Sequence, residues 1–180
     1  MLKSVPTYVG DLVSVRPSLK SDLQDYLAKA GQPETILAYG GDPSTIKPPT
    51  PESYKRSLGR FPDSNKWVID RKDHAIGGVR LHQIDEKEAH ARLALGIWHP
   101  VDWGHGYGTE ASKLVLGHAF DVMNLHRVDL IVLESNRRAI RSYEKCGFKV
   151  EGILRERALV GGRRQNDLVM AILRHEFASG

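Results

Sequence analysis

Trp103-Gly104-His105-Gly106-Tyr107-Gly108-Thr109 is the stretch on which the fold turns. Its glycines stand at alternate positions, just after Pro100 stops an apolar run and just before residues with helical periodicity. Those residues are Ala111, Leu114, Val115, His118, Ala119 and Val122, which fall on one face of an amphipathic helix. A strand, a glycine turn and a helix in that order make an anion cradle. The N–H groups that open a helix lack intrahelical partners, and the helix dipole adds partial positive charge there. Glycine lets the backbone approach phosphate oxygens without a Cβ in the way. Taken alone, such a turn also serves simply to start a helix. It lacks the Gly-Lys-Ser/Thr ending of a nucleoside-triphosphate loop, and its glycine spacing is not the dinucleotide-binding fingerprint.

Working outward, residues 66–70, 75–83 and 89–99 read as strands, the last two joined by the acidic turn Asp85-Glu86-Lys87-Glu88. Nearer the N-terminus, residues 12–17 alternate like a strand, and Ser18 with Asp22 opens a helix through Leu23, Tyr26 and Leu27. Residues 31–51 are rich in Gly and Pro and read as a loop able to wall a substrate cleft, followed by a short helix to about Leu58. Beyond the central helix, residues 127–134 form a buried strand. A helix then carries Ala139, Ile140 and Tyr143 on one face and closes at Gly147 in a left-handed cap. The tail is a hairpin, residues 148–160 and 163–173 around Gly161-Gly162.

The chain has 180 residues, 41% hydrophobic and 27% charged, enough for one domain spanning 1–180 with a substantial core. The N-terminus lacks the apolar run of a signal peptide, and no stretch approaches the length of a membrane span. Cys146 has no second cysteine to pair with and reads as a small residue packed under a helix end. These features imply a soluble cytoplasmic protein. The eight histidines show no metal-ligand spacing, so no metal site is expected. The net charge of +4 is unevenly spread: Arg137, Arg138, Arg141, Lys145, Lys149, Arg155, Arg157, Arg163 and Arg164 face only Glu144, Glu151 and Glu156. This suits a polyanionic ligand or an ordinary solvated surface.

The glycine turn resembles the Gln/Arg-x-x-Gly-x-Gly/Ala signature of the GCN5-related N-acetyltransferase (GNAT) superfamily. A second block, from Asn136 through Ala139 and Tyr143 to Gly147-Phe148, is similar to that family's Asn-x-x-Ala-x-x-x-Tyr-x-x-x-Gly-Phe segment. The resemblance spans roughly 66–174. The stretches 107–111, 124–128 and 151–156 look like the RimJ/RimL-like branch, which includes acetyltransferases of ribosomal-protein N-termini and of small amines. The resemblance implies an α/β (α+β) GNAT fold: a mixed, mostly antiparallel sheet of about seven strands, splayed at the acetyl-CoA site and flanked by about four helices. It also implies transfer of acetyl from acetyl-CoA to a primary amine, either a protein N-terminus or a small molecule, through a ternary complex. The partners implied are acetyl-CoA and the amine. A homodimer is allowed and a membrane is not expected.

Carried over by position, Trp103, Gly104, His105, Gly106, Tyr107, Gly108 and Thr109 would hold the pyrophosphate. The strand around Gly96, Ile97 and Trp98 would pair with the pantetheine arm, and Asn136 would contact CoA or cap its helix. Tyr143 would protonate the departing thiolate. Two features depart from the family pattern. Trp103 replaces Gln or Arg, and Leu93 and Ala94 stand where that branch carries a glutamate base. Glu88 or His90, or else His99, are then the candidates for the base, directly or through water. Two rival readings follow: a basic nucleic-acid-binding module, disfavoured because the basic stretch carries no recognised recognition motif, and a GNAT relative that binds CoA without catalysis.

Overall fold

The computed structural model describes residues 5–58 and 65–177 of the chain, so residues 1–4, part of the N-terminal stretch read above, lie outside it. The strands are β1 (Tyr8–Val9), β2 (Ser14–Arg16), β3 (Lys66–Arg71), β4 (His74–Asp85), β5 (His90–Ile97), β6 (Arg127–Leu133), β7 (Lys149–Val160) and β8 (Arg163–Leu173). The helices are α1 (Asp22–Lys29), α2 (Pro33–Ala38), α3 (Pro51–Leu58), α4 (Tyr107–Gly117) and α5 (Arg137–Glu144). The strands form one sheet in the order β1-β2-β3-β4-β5-β6-β8-β7. Among the described residues, the β5–β6 pair is parallel and every other neighbouring pair is antiparallel.

The architecture is the mixed, splayed sheet expected, with one strand and one helix more. The added strand, β1, is too short for alternation to show. The added helix, α2, lies inside the stretch read as loop. Pro33 occupies its first turn, where a missing N–H and a fixed φ favour a helix start. The helical face read after the glycine turn is also corrected at its end. Ala111, Val115, His118 and Ala119 are buried, but Val122 is 64% exposed. The helix widens into a π-helical turn over His118–Val122, which adds a residue per turn and rotates Val122 out.

Packing follows from these faces. Val115, Leu116 and Phe120 are shut from solvent against Val79, Leu81, Leu93, Val128 and Leu130 of the sheet. The opposite face carries a smaller cluster of Tyr26, Tyr54, Val68, Ala75 and Trp98 under α1 and α3. Arg16 ties the two regions, bonding Asp22 at 2.8 Å and Asp70 at 2.6 Å. The β7–β8 hairpin closes at Gly161-Gly162, both at positive φ (53° and 76°), between the paired Val160 and Arg163.

Candidate active site

The cradle is built by glycine conformations. Gly104 and Gly106 sit at φ 82° and 86°, values that L side chains rarely adopt. Gly106 caps α4 with no side-chain hydrogen bond, so the N–H groups at the helix start remain open to a ligand. A Cβ at Gly108 would meet Leu95 Cδ2 at 3.4 Å, an ordinary van der Waals contact. The Glu110 carboxylate instead turns outward and accepts the N–H groups of Asp11, Leu12 and Val13 at 2.7–3.0 Å, strapping the N-terminal segment to α4. His105 stacks on Tyr107 at 5.4 Å, and Tyr107 itself is buried in the core.

Beside the cradle the sheet opens. β5 and β6 pair only where His90, Ala91 and Arg92 meet Arg127, Val128 and Asp129, and then part. Residues of an antiparallel strand send both backbone polar groups to alternate sides. Trp98 donates its N–H to Ile76 O on the β4 side, so Gly96 also turns that way, and Leu95 and Ile97 turn toward the opening. This corrects the expectation at Gly96 and Trp98. The ring of Trp98 packs on Tyr26 at 5.1 Å on the far face, and its carbonyl accepts the Thr35 hydroxyl. Leu95 was missed, although counting the alternation from Ile97 finds it.

Both polar groups of Ile97 are held by aromatic side chains. Its N–H donates to the Tyr39 hydroxyl at 2.9 Å, and its carbonyl accepts the Trp103 indole N–H at 3.4 Å. Burial of the hydroxyl raises the pKa of Tyr39. Trp103 also carries the Arg138 guanidinium, 3.3 Å from its ring centroid. The tryptophan therefore brings a cation to the cleft where the family pattern has a polar side chain. The cleft of about 310 Å³ between turn and α5 is lined by Arg138, Arg141 and Lys145 on one side and the glycines on the other. Part of the basic stretch thus faces the open amides.

Tyr143 lines both this cleft and the one that continues into the splay. Its ring packs edge-on to Phe148, its hydroxyl makes no hydrogen bond among the described residues, and burial raises its pKa. Asn136 caps α5 through Ala139 N–H at 3.2 Å and donates to Ala38 O at 3.0 Å. Cys146 is buried, with its thiol pushed up to about 12 and directed at the carbonyls of Thr109 and Ser142, a packing role.

The structure does not bring Glu88 or His90 to this cleft. His90 starts β5, about 20 Å from Ile97 at roughly 3.3 Å per residue, and Glu88 lies farther still, in the turn before the strand. His90 is bound to Asp129 at 3.0 Å, and Glu88 is exposed beside Lys87. His99 caps the turn before Trp103, accepting the Val101 N–H at 3.1 Å. The histidine on the wall of the splay is His82 of β4, opposite Arg92. Burial, together with Arg80, Arg92 and Lys66, lowers its pKa against the pull of Asp129, so the imidazole is neutral at pH 7. No His, Cys, Asp or Glu cluster able to hold a metal occurs among the described residues.

The acetyltransferase (GNAT) domain family matches residues 13–149, which takes in the splayed strands, the turn, α4 and α5. The chain belongs to that family. Spermidine N(1)-acetyltransferase of Escherichia coli (strain K12) is 33% identical over 112 residues, 62% of this chain and 60% of that protein. The Vibrio cholerae enzyme of the same name is 33% identical over 126 residues, 70% of this chain and 72% of its own length. A crystal structure of Vibrio cholerae spermidine N-acetyltransferase with CoA and spermine superposes with a TM-score of 0.76 at 23% identity, over 93% of this chain and 98% of that one, and shares the fold. The match thus spans about 60% of the length of the Escherichia coli relative.

Proposed function

We propose that this protein is an N-acetyltransferase that moves the acetyl group of acetyl-CoA to a primary amine within a ternary complex. The observation that carries the reading is the parting of β5 from β6 beyond Arg92, which leaves a strand edge between the open amides of the glycine turn and the free hydroxyl of Tyr143.

The residues fit acetyl-CoA. The amides of His105 to Thr109 suit a pyrophosphate, and Arg138, Arg141 and Lys145 suit its charge. Leu95 and Ile97 offer backbone pairing to the pantetheine arm once Tyr39 releases Ile97. Asn136 retains one N–H and one lone pair beyond its two bonds. Acetyl-CoA supplies a thioester carbonyl open to attack by an amine. His82, neutral and on the wall of the splay, takes the proton of the entering ammonium through a water. The Tyr143 hydroxyl, kept protonated by burial, donates to the departing thiolate and is restored by the second proton that the nitrogen sheds as the amide forms. His82 replaces Glu88 and His90 in this scheme because His90 stands at the far end of β5 and Glu88 in the turn before it.

A cytoplasmic setting, the RimJ/RimL-like branch and a single domain over 1–180 belong to the same proposal. The support is the lone Cys146, the absence of a described helix long and apolar enough to cross a membrane, and the sequence stretches that resemble the branch. The nucleic-acid reading is not favoured, since three of its basic residues line the cleft with the glycine turn. A thiol-release screen over primary amines and peptides tests the proposal. Tyr143→Phe should lower kcat by about a hundredfold. Unchanged turnover in that variant removes Tyr143 from the acid role, and lack of acetyl-CoA binding defeats the proposal itself.

A further inference from the structure

The splay continues into a cavity of about 550 Å³, lined by Tyr39, His82 and Tyr143 among others. Its charged lining residues among those described are Arg92, Arg157 and Asp167, beside the neutral His82. Arg92 is committed, since its guanidinium bonds both oxygens of Asp129 at 2.6 and 3.1 Å. Asp167, on β8, is 4% exposed.

Strand pairing places Asp167 relative to the reaction. β5 and β6 match His90 with Arg127 and Arg92 with Asp129, and the same count brings Gly96 level with Leu133. Leu133 in turn pairs with Asp167. The carboxylate is therefore level with the strand edge offered to the pantetheine arm. Val132 and Leu168, next along their strands, join the core packed under α4, so Leu133 and Asp167 face the other side, where the cavity lies. A chain lying in the splay is separated from β8 by β6, two strand spacings or about 10 Å. Asp167 thus stands away from the reacting nitrogen and level with the far end of a short acceptor.

That end is held by a cation of the chain itself. Arg157 donates to Asp167 Oδ2 at 2.7 Å, and the other carboxylate oxygen accepts no hydrogen bond among the described residues. The pair is lopsided, with the carboxylate side chain 6% exposed and the arginine 55%. A half-exposed arginine can turn to water at little net loss, whereas the buried carboxylate stays and needs a cation. A β-bulge brings the arginine there. Leu154 pairs with Asp167 and Ala158 with Gln165, so β7 carries extra residues between them, with Glu156 at φ 54° and its N–H on Asn166 Oδ1. Such bulges re-aim a side chain, here Arg157 toward Asp167.

Resting on the acetyl-transfer reading, we infer that Asp167 binds a second cationic group of the acceptor, at the end of a short chain, and that Arg157 holds its place in the free protein. The acceptor is then a diamine-like molecule, Asp167 a specificity-determining residue, and Arg157 a competitor of the substrate.

Four amines of one chain length test this: hexamethylenediamine with a cationic end, aminohexanol with a neutral polar end, hexylamine with an apolar end and aminohexanoic acid with an anionic end. Thiol release should give the diamine a kcat/KM about tenfold or more above the other three. In Asp167→Asn that preference should fall to about twofold or less, through KM, while acetyl-CoA affinity stays within about twofold. Arg157→Gln removes the competitor and keeps the carboxylate, so it should lower KM for the diamine by about threefold. An ion pair that served only to hold the fold would give no such opposite signs. Calorimetry of the same amines on the CoA-loaded protein separates this claim from the transfer reaction. Diamine-selective binding lost in Asp167→Asn, with no amine acetylated, keeps the cation site and ends the acetyl-transfer reading. Equal handling of the four amines, preference for the anionic one, a diamine preference that survives in Asp167→Asn, or a diamine KM that does not fall in Arg157→Gln overturns the inference.

Discussion

Tyr39 is the residue whose position changes the account most. Its hydroxyl occupies the Ile97 N–H that a pantetheine amide would use, so the ligand must displace it. Tyr39→Phe removes the competitor without altering the ring. A net hydrogen bond contributes about 1 kcal/mol, so titration of that variant should show acetyl-CoA binding about fivefold tighter. Equal or weaker binding would mean the hydroxyl helps hold the ligand. Tyr39 could not be found from the sequence because it lies in a Gly- and Pro-rich stretch without periodicity, and its partner is distant in the chain. Leu95 was missed, although strand alternation from Ile97 reaches it. Tyr143 and Asn136 were legible through the block 136–148, which resembles a segment of the family. His82 was hidden, since only the sheet pairing sets it beside Arg80 and Arg92 and across from the splay.

At the scale of elements, the run from β5 through the turn to α4 was readable because each boundary has a local cause: Pro100 ends the strand, positive-φ glycines make the turn, and apolar spacing marks the helix. Gly147, at φ 96°, closes the end of α5 for the same reason. What stayed hidden depended on tertiary partners. β1 is a strand only through its pairing with β2, and the outward turn of Val122 follows from a π-helical widening that periodicity does not show. The turn itself makes a sharp prediction. Nothing lies within 4 Å of a Cβ added at Gly104, whereas one at Gly106 meets Leu12 Cδ1 at 3.2 Å. Both alanine variants carry left-handed strain of about 1–2 kcal/mol. Gly106→Ala should be the less stable of the two in denaturant melts, and equal losses would show that the Leu12 contact yields freely.

For the whole molecule, the buried ionisable groups set the response to acid. His118 is enclosed between Trp67 and Tyr8, whose hydroxyl lies 2.7 Å from its Nδ1. Burial lowers its pKa in the folded state. Below about pH 6.5 the unfolded chain binds a proton that the folded chain refuses, so stability declines as pH falls. Burial opposes ionisation of Asp129, but hydrogen bonds from Arg92 and His90 outweigh it and hold its carboxyl below the ordinary range. Its contribution is therefore present above about pH 4 and lost as pH falls through the depressed value. Thermal melts should show a gentle decline from pH 7 to 5 and a steeper one below 4. His118→Asn should flatten the first, and an unchanged slope there would exclude His118 as its source.

The same arrangement at the molecular scale makes one sheet, parted at a single parallel pair, present a strand edge and a cradle of amides to the same cleft. A calorimetric titration with acetyl-CoA tests that most directly. The account predicts saturable binding of one ligand per chain, weakened by about tenfold in Gly106→Ala and again in Arg138→Ala. No saturable binding, or binding indifferent to both substitutions, would contradict it.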